Sequence, residues 1–397
     1  MIYSCLYVKM LESSVSSRKR RKGQDVDCVH TNLSDKHLRR YILELAKEPI
    51  IFLDQITSWK CLNWTPKSLA KDLFDVRTRF RLCPRITSEK YRFPAKQAVM
   101  ETECDYVVAT ISEFYQWLSL DHEKLPNNNP FAQFLQKDYT CYADYKYMKE
   151  LFVKCPEKHH EVDWSYLGFP ERNGEHSALW FGTAESFTPC HYDSYGCNLV
   201  AQIYGRKRWL LFPPEQGEFL YPTRIPYEES SVFSQVNVKN PDTTKYPKFQ
   251  HARAHEVILE PGNVLFIPKH WWHYVENLET SISINTWMEI DSDDYDRVEE
   301  SVTRAIICSL RSKDNKTCRD KLWATPSMRE EDLSFEESLR LCRKAVVAYY
   351  NRNTKRGNEV EETRTKELSV EDFMNAVVSP DVVRIITEKI FDLTKSP

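Results

Sequence analysis

Glycine is scarce in this chain, which has nine glycines among 397 residues. The chain also lacks an uncharged apolar run of about 18 residues, the length that a membrane-spanning helix needs. Its 12 cysteines are scattered and form no C-x-x-C pair, so we expect reduced thiols. A formal net charge of −3 argues against a generally basic nucleic-acid coat. No signal peptide is recognisable, and we therefore expect a soluble cytoplasmic protein, with the nucleus as an alternative compartment and no contact with a membrane.

The few glycines are concentrated in one part of the chain. Seven of the nine lie between Gly168 and Gly262, where apolar runs of strand length recur. Frequent turns between short strands are typical of an antiparallel barrel or sandwich. After Asp291 the strand patterns vanish, and capping boxes at Ser334–Glu337 and Ser369–Asp372 predict helices. The sequence thus predicts a mainly β domain over residues 34–291 and a C-terminal α-helical region over residues 292–397.

The first 33 residues differ from the rest. They contain several serines and then five consecutive cations, Arg18 to Lys22, with little apolar surface to bury. This composition predicts a disordered basic N-terminal tail over residues 1–33. The basic run could act as a nuclear import signal or an anion-binding arm, or it could simply be solvated charge.

A group of metal-ligand residue types occurs within the glycine-rich part. His191 and Asp193 are two positions apart, so both side chains project from one side of an extended segment. His273 follows a strand pattern that ends at Pro268, in a loop that an antiparallel barrel can bring back to the first two residues. Two imidazoles and one carboxylate, with coordination positions left open, are the ligand set of non-haem Fe(II) oxygenases. The His191–Asp193 pair and a histidine near a proline each arise by chance in many sequences. Their combination arises by chance much less often.

Two longer stretches carry a family resemblance. Residues Phe181 to Pro214 and Pro261 to Asn285 resemble the JmjC family of 2-oxoglutarate oxygenases, in particular its small hydroxylase branch. The similarity covers roughly residues 35–300 and is strongest over residues 178–290. It implies a double-stranded β-helix core, a jelly-roll or cupin-like barrel, with helical flanks.

The resemblance also implies Fe(II), 2-oxoglutarate and O2 as cofactor and co-substrates. It makes His191, Asp193 and His273 the iron ligands. The residues that it assigns to the co-substrate pocket are Lys207, Thr188, Tyr145, Asn198 and Asn285, with Tyr147 as a rival of Tyr145.

Physical chemistry agrees with the role of Lys207. A buried dicarboxylate needs a fixed counter-charge and hydroxyl donors, which Lys207 and Thr188 can supply. Asn198 departs from the family pattern because it lies five positions after Asp193, whereas the related hydroxylases have four steps. A one-residue bulge at Gly196 would restore the register. Cys190 and Cys197 lie near the proposed ligands, but the ligand set is complete without them, and we expect core residues.

The expected function is oxygenation of a protein side chain, by hydroxylation or demethylation. One alternative is a weakly active or non-catalytic scaffold, because Tyr142–Tyr147 and Tyr221–Phe233 look most like a member of the branch that associates with a small heat-shock protein. A second alternative is hydroxylation of a tRNA base, which would need a basic groove that includes Arg206 and Arg208. A homodimer is a further hypothesis, because Val298, Val302 and Ile306 form a helical apolar face that could pair with a second chain. Equally, this face could pack onto the outer sheet of the barrel.

Overall fold

The computed structural model describes residues 25–31, 34–310, 323–325, 334–356 and 368–394. The described residues divide into one compact unit of residues 25–31, 34–290 and 323–325 and another of residues 291–310, 334–356 and 368–394. The first division falls next to the boundary expected from the sequence. The described residues 323–325 belong to the first unit, however, through a bridge between Tyr227 and Ala324, so the predicted helical region is not one continuous unit.

The described part of the first unit contains fifteen strands. They are β1 Asp27–Val29, β2 Ile50–Phe52, β3 Arg77–Pro84, β4 Asp105–Thr110, β5 Tyr139–Tyr147, β6 Ala178–Gly182, β7 Phe187–Asp193, β8 Cys197–Tyr204, β9 Lys207–Phe212, β10 Pro222–Glu228, β11 Ser231–Ser234, β12 His255–Leu259, β13 Val264–Ile267, β14 Trp272–Asn277 and β15 Ser281–Met288.

The α-helices lie before, between and after these strands. Those of the first unit are α1 Asp35–Arg40, α2 Pro66–Asp72, α3 Ile111–Ser119 and α4 Met148–Leu151. Those of the second unit are α5 Asp293–Leu310, α6 Phe335–Arg356, α7 Val370–Val377 and α8 Pro380–Thr394. The hydroxyls of Thr65, Thr110 and Ser369 accept backbone N–H bonds at the starts of α2, α3 and α7, as capping boxes do. None of the helices within these described ranges is long and apolar enough to cross a membrane.

The strands form two sheets that together make a jelly roll. The nine-stranded sheet has the order β1-β2-β13-β8-β15-β6-β5-β3-β4, and the six-stranded sheet has the order β10-β11-β7-β14-β9-β12. The chain changes sheet at every step through β6, β7, β8 and β9, and again through β12, β13, β14 and β15. This alternation is the winding of a double-stranded β-helix. The predicted fold class, mainly β with helical flanks and a C-terminal helical region, is confirmed.

The prediction of a disordered tail over residues 1–33 is wrong for its last part. Asp27–Val29 forms β1, which pairs in parallel with Ile50–Phe52 at the edge of the nine-stranded sheet. Val26 and Cys28 are buried there, because the strand adds apolar side chains to the core between the sheets. The basic run at residues 18–22 lies outside the described residues.

Two cores hold the first unit together. The outer face of the nine-stranded sheet packs against the helices through aromatic rings, with Phe114 in contact with both Phe80 and Phe181. The second core lies between the sheets, where Val200 of one sheet packs with Trp209 of the other. Buried aromatic side chains contribute large areas to folding, about 25 cal/mol for each Å² removed from water.

The second unit has a small core of its own. Val302 and Ile306 of α5 pack with the buried Leu339 of α6 and Phe373 of α7. Two of the three residues that we considered for a dimer interface thus pack within this unit. Dimerisation stays a prediction, but Val302 and Ile306 no longer support it.

A tight turn between β8 and β9 fixes where β9 begins. Gly205 has a φ of +63°, in the left-handed region that residues with a Cβ adopt only at a cost. A Cβ on Gly205 would also lie 2.2 Å from the carbonyl oxygen of Thr280. Gly262, in the turn before β13, has a φ of +89° but no atom within 4 Å of its Cβ position.

We therefore expect Gly205→Ala to destabilise the protein more than the matched variant Gly262→Ala. The left-handed backbone alone accounts for about 1–2 kcal/mol at either position. The clash with Thr280 should bring the loss at Gly205 to about 3 kcal/mol or more. Urea unfolding followed by tryptophan fluorescence measures both values. Equal losses would contradict the close approach that the structure shows.

Candidate active site

The cavity between the two sheets collects side chains at alternate strand positions. Successive side chains of a strand point to opposite faces, so positions two apart share the inner face. The inner positions follow this rule on five strands, and they are Asn198 and Val200 on β8, Lys207 and Trp209 on β9, Ser231 and Phe233 on β11, His273 and Val275 on β14, and Ser283, Asn285 and Trp287 on β15. The two sheets thus contribute facing walls of one cavity.

Strand β7 departs from this rule by a bulge. His273 of β14 lies opposite His191, but Val275 lies opposite Thr188, so β7 has one extra residue in this interval. The extra residue lets Thr188 and His191, three positions apart, both face the cavity. Pro189 lies in this interval, which fits the confinement of proline to bulges and edges of sheets.

His191, Asp193 and His273 lie together at one end of the cavity. Their candidate ligand atoms are all within 4.8 Å of one another, and His191 Nε2 is 3.9 Å from Asp193 Oδ1. The rings of the two histidines have centroids 4.2 Å apart. The pairing of β7 with β14 explains this proximity, because His191 and His273 are directly opposite each other in the register.

Hydrogen bonds orient both histidines as metal ligands. His191 Nδ1 lies 2.8 Å from the carbonyl oxygen of Pro189, and His273 Nδ1 lies 2.9 Å from that of Trp271. A carbonyl oxygen only accepts, so each Nδ1 carries the proton and donates it. Each Nε2 then keeps a free lone pair, which is the tautomer that a metal-binding imidazole needs.

Asp193 is held by an indole. Trp287 donates its Nε1–H to Asp193 Oδ2 at 3.1 Å, which leaves the other oxygen on the side of His191. Burial raises the pKa of the Asp193 carboxyl above its ordinary value, although His191 opposes this shift. Burial lowers the pKa of His273 well below its ordinary value, and the neighbouring His191 adds to the effect. Two imidazoles and a carboxylate that lacks a lysine or arginine partner among the described residues fit a divalent first-row metal.

Lys207 is the second unusual group in the cavity. It is 2% exposed, and no carboxylate of the described residues forms an ion pair with it. Among the described residues, its ammonium donates to the hydroxyls of Ser283 and Tyr142, at 2.7 and 3.1 Å. Burial alone lowers the pKa of Lys207 from 10.5 to about 7. A buried cation beside hydroxyl groups fits a ligand that brings its own carboxylate.

Tyr142 was not identified from the sequence. Its hydroxyl contacts Lys207 and also hydrogen-bonds with Thr188, so these three residues form one polar group. Tyr145, the residue expected from the family resemblance, lines the same cavity with its ring 5.1 Å from that of Trp287. Its rival Tyr147 is 41% exposed and does not line the cavity.

A second bulge explains how Tyr142 and Tyr145 share the cavity. The register of β5 against β6 slips by one residue between Ala143 and Lys146. Tyr145 has a φ of +56°, which a non-glycine residue rarely adopts. Without this irregularity the two tyrosines, three positions apart, would lie on opposite faces of the sheet. The bulge could not be inferred from alternation in the sequence.

Asn198 and Asn285 both line the cavity and bond to each other. Asn285 donates to the Asn198 side-chain oxygen at 2.9 Å and accepts from Trp180 Nε1 at 2.8 Å. The extra residue between Asp193 and Asn198 is accommodated in the turn between β7 and β8 and not in a strand bulge. Gly196 has a φ of +77° in that turn, where a Cβ would lie 2.9 Å from the Met288 carbonyl oxygen.

Other residues close in sequence to His191 and Lys207 lie outside the cavity. Cys190 and Cys197 are buried in separate apolar clusters and do not line the cavity. Arg206 pairs with Glu279 at 2.8 Å, and Arg208 forms ion pairs with Glu276 and Glu256. Because Lys207 points inward and both arginines are paired, these three cations do not form an open basic groove.

One wall of the cavity is acidic. Glu228 and Glu101 line it, and Glu101 pairs with the buried Arg81 at 3.2 Å. No cation of the described residues forms an ion pair with Glu228. Burial, together with the charges of Glu101 and Asp144, raises the pKa of Glu228 well above its ordinary value.

The comparison with known families agrees with the fold and the cluster. The family model described as a cupin-like domain matches residues 37–294, which includes the whole cavity. Lysine-specific demethylase 8 of Xenopus tropicalis is 29% identical over 289 residues, covering 71% of this chain and 55% of that protein. The chain belongs to the cupin-like JmjC family, whose members use Fe(II) and 2-oxoglutarate.

Within this family, the chain is similar to the proteins named HSPB1-associated protein 1. The protein of Rattus norvegicus is 46% identical over 344 residues, which cover 86% of this chain and 69% of that protein. The homolog of Danio rerio is 43% identical over 343 residues, which cover 86% of this chain and 73% of that protein. The resemblance noted from the sequence is therefore confirmed at the level of the family.

The lowered pKa of Lys207 predicts a pH-dependent stability of the metal-free protein. Lys207 binds a proton more weakly when folded, at a pKa of about 7, than when unfolded, at about 10.5. Its destabilising effect is complete below pH 7 and is relieved as the pH rises towards 10.5. Lys207→Met has no ammonium to bury, so it should be more stable than the wild type at pH 7. This difference in the free energy of unfolding should be about 2 kcal/mol smaller at pH 9. Urea unfolding at both pH values tests this, and a pH-independent difference would contradict the buried ammonium.

Proposed function

We propose that this chain is an Fe(II)- and 2-oxoglutarate-dependent oxygenase that hydroxylates, or demethylates by hydroxylation, a side chain of a protein substrate. The observation that carries the proposal is the buried Lys207 ammonium without a carboxylate partner, in the same cavity as the His191, Asp193 and His273 cluster. A barrel needs neither the buried ammonium nor the metal-ligand cluster for its stability. Both groups would bind a ligand if a metal lies at one end of the cavity and a dicarboxylate extends from it to Lys207.

The chain's own residues would bind and orient these groups. His191, Asp193 and His273 would hold Fe(II), and Trp287 fixes the Asp193 carboxylate through its N–H. When bound, Fe(II) and 2-oxoglutarate supply the chemistry that uses O2 to oxidise a C–H bond.

The polar group around Lys207 would bind the far carboxylate of 2-oxoglutarate. Lys207 supplies the positive charge, and the hydroxyls of Tyr142, Thr188 and Ser283 are already within hydrogen-bonding contact of one another or of Lys207. A charge-assisted bond to carboxylate restores the ammonium that burial disfavours. We assign Tyr142 to this carboxylate because its hydroxyl contacts Lys207, and Tyr145 to the aromatic wall.

Aromatic residues exclude water from the reacting end. The ring of Tyr145 contacts those of Trp180 and Trp287, and all three line the cavity. Trp271 and Trp272 pack in other apolar clusters and do not line the cavity. A dry, shaped site strengthens the electrostatic interactions made in it.

The first experiment titrates the Fe(II)-loaded protein with 2-oxoglutarate in the absence of oxygen and follows the visible metal-to-ligand charge-transfer band. The wild type should show the band if His191, Asp193 and His273 hold Fe(II) and 2-oxoglutarate binds to it. Asp193→Ala should abolish the band, and Lys207→Ala should weaken the affinity for 2-oxoglutarate by about 100-fold, the effect of losing a charged hydrogen bond.

The matched control is Lys67→Ala, which removes an exposed lysine on α2 and should leave the titration unchanged. A folded wild type that gives no band would contradict the oxygenase proposal. That result would favour the alternative, a scaffold that associates with a small heat-shock protein. The name of the relatives in rat and zebrafish supports this partner, and we propose it also for this chain.

The acidic wall favours a positively charged side chain as substrate. Glu228 lacks an ion-pair partner in the described part of the chain, whereas Arg81 and Lys146 are already engaged with Glu101 and Asp144. Burial and these two acidic neighbours disfavour the ionised form of Glu228, which a bound cation would stabilise. A lysine or arginine side chain would relieve this imbalance, whereas a phosphate backbone would be repelled. The paired state of Arg206 and Arg208 further disfavours the tRNA alternative.

Peptide arrays with a central lysine or arginine, probed with protein loaded with Mn(II) and 2-oxoglutarate, test this preference. Glu228→Gln should reduce binding of these peptides by about tenfold, the loss of one charged interaction. Glu229→Gln changes the exposed neighbour and should have little effect. If single-stranded RNA binds more tightly than every peptide and is released by salt, the protein-substrate proposal fails.

A further inference from the structure

Two cysteines outside the candidate active site lie opposite each other on neighbouring strands. Strands β3 and β4 pair in antiparallel register, with Arg81 opposite Tyr106 and Leu82 opposite Asp105. One further step in this register brings Cys83 opposite Cys104. The two thiols lie close enough for each to shift the pKa of the other, so the side chains also point to the same side.

The backbone spacing suits a disulfide. Directly opposed residues of antiparallel strands have Cα atoms about 4.5–5.5 Å apart. Disulfides join Cα atoms about 4.4–6.8 Å apart, so this register needs no large movement of either strand. Cys104 lies at the start of β4, an edge strand of the nine-stranded sheet, where the chain can adjust more easily than in the centre.

The surroundings make the two thiols unequal. The hydrogen bond from Cys104, with the charges of Arg81 and Arg92, lowers the pKa of the Cys83 thiol although burial opposes this. The same hydrogen bond, together with burial, raises the pKa of Cys104 well above its ordinary value. A thiolate attacks disulfides and a thiol does not, so Cys83 is the nucleophile of the pair and Cys104 the second thiol.

Cys83 is 6% exposed and faces a cavity. Cys83 lines a second cavity, of about 260 Å³, on the other side of β7 from the candidate active site. Cys190 and Tyr91 line the same cavity. Arg81, on the same side of β3 as Cys83, donates to the Phe187 carbonyl oxygen at the start of β7.

We propose that Cys83 and Cys104 form a reversible disulfide and are an oxidative modification site of this chain, with a low-molecular-weight disulfide as the oxidant. The Cys83 thiolate attacks one sulfur of that disulfide and expels one small thiolate. Cys104 then loses its proton, attacks the Cys83 sulfur of the mixed disulfide and expels the second small thiolate. Two protein thiols are oxidised, and one small disulfide is reduced to two thiols.

The disulfide would tie β3 to the turn Glu101–Glu103 that precedes Cys104. This turn carries Glu101, which lines the candidate active site and pairs with Arg81. Oxidation of the pair would thus restrict a residue of the acidic wall. The modification does not require that the chain be an active oxygenase.

The test incubates the full-length, metal-free protein with increasing ratios of oxidised to reduced glutathione. Free thiols are then alkylated, and disulfide-linked peptides are identified by mass spectrometry. In the wild type, alkylation of Cys83 and Cys104 should fall together, a peptide linked through these two residues should appear, and dithiothreitol should reverse both changes. In Cys104→Ser the reaction should stop with one glutathione on Cys83, whereas in Cys83→Ser the Cys104 thiol should remain unmodified.

Cys190→Ser is the matched control because Cys190 lines the same cavity, and it should leave the Cys83–Cys104 disulfide unchanged. The wild-type result alone decides the proposal, so it does not depend on whether each variant folds. The proposal is overturned if Cys83 and Cys104 stay alkylatable under oxidising conditions, or if Cys83 links to Cys190 instead.

Discussion

A buried ammonium without a carboxylate partner is the constraint on which the barrel interior depends. Lys207 is almost fully removed from water, and within the described ranges its ammonium contacts the hydroxyls of Ser283 and Tyr142 and no carboxylate. Burying an ammonium is unfavourable, and the lowered pKa of Lys207 expresses this cost. The left-handed turn at Gly205 starts β9 so that Lys207 faces inward. The metal-ligand cluster lies in the same cavity, on strands that the jelly-roll winding brings next to β9.

Two irregularities of the sheets complete this site. Regular strands place only alternate residues in the cavity, and β8, β9, β11, β14 and β15 obey that rule. The bulges in β7 and β5 each insert one residue, so that Thr188 and His191, and likewise Tyr142 and Tyr145, enter the cavity together. The polar group around Lys207 and the metal-ligand cluster therefore share β7. A bulge changes the strand geometry at one residue only. Here it determines which side chains lie together in the cavity.

The sequence predicted more of the fold than of the co-substrate pocket, for physical reasons. Short strands, clustered glycines and capping boxes are local signals, and they predicted the barrel and the helical region. Lys207 was recognised through its surrounding motif. Tyr142 was not identified, because a bulge changes the inner face without altering the alternation of residue types. The strand at Asp27–Val29 was also not predicted, since three residues next to a basic run carry little periodicity and their pairing with β2 is a tertiary contact.

The energetics of the cavity bear on the choice between oxygenase and scaffold. A scaffold that binds a partner through its outer surface gains nothing from Lys207, and an apolar residue of similar size would fill that space without desolvating a charge. The same holds for Asp193, whose carboxyl is buried with a raised pKa and is held in place by Trp287. Burial of either group alone is unfavourable, and it becomes favourable when a cation binds beside Asp193 and an anion beside Lys207. Association with a small heat-shock protein would use surface residues and is compatible with such a site, so a partner-binding role and an oxygenase role do not exclude each other in this chain.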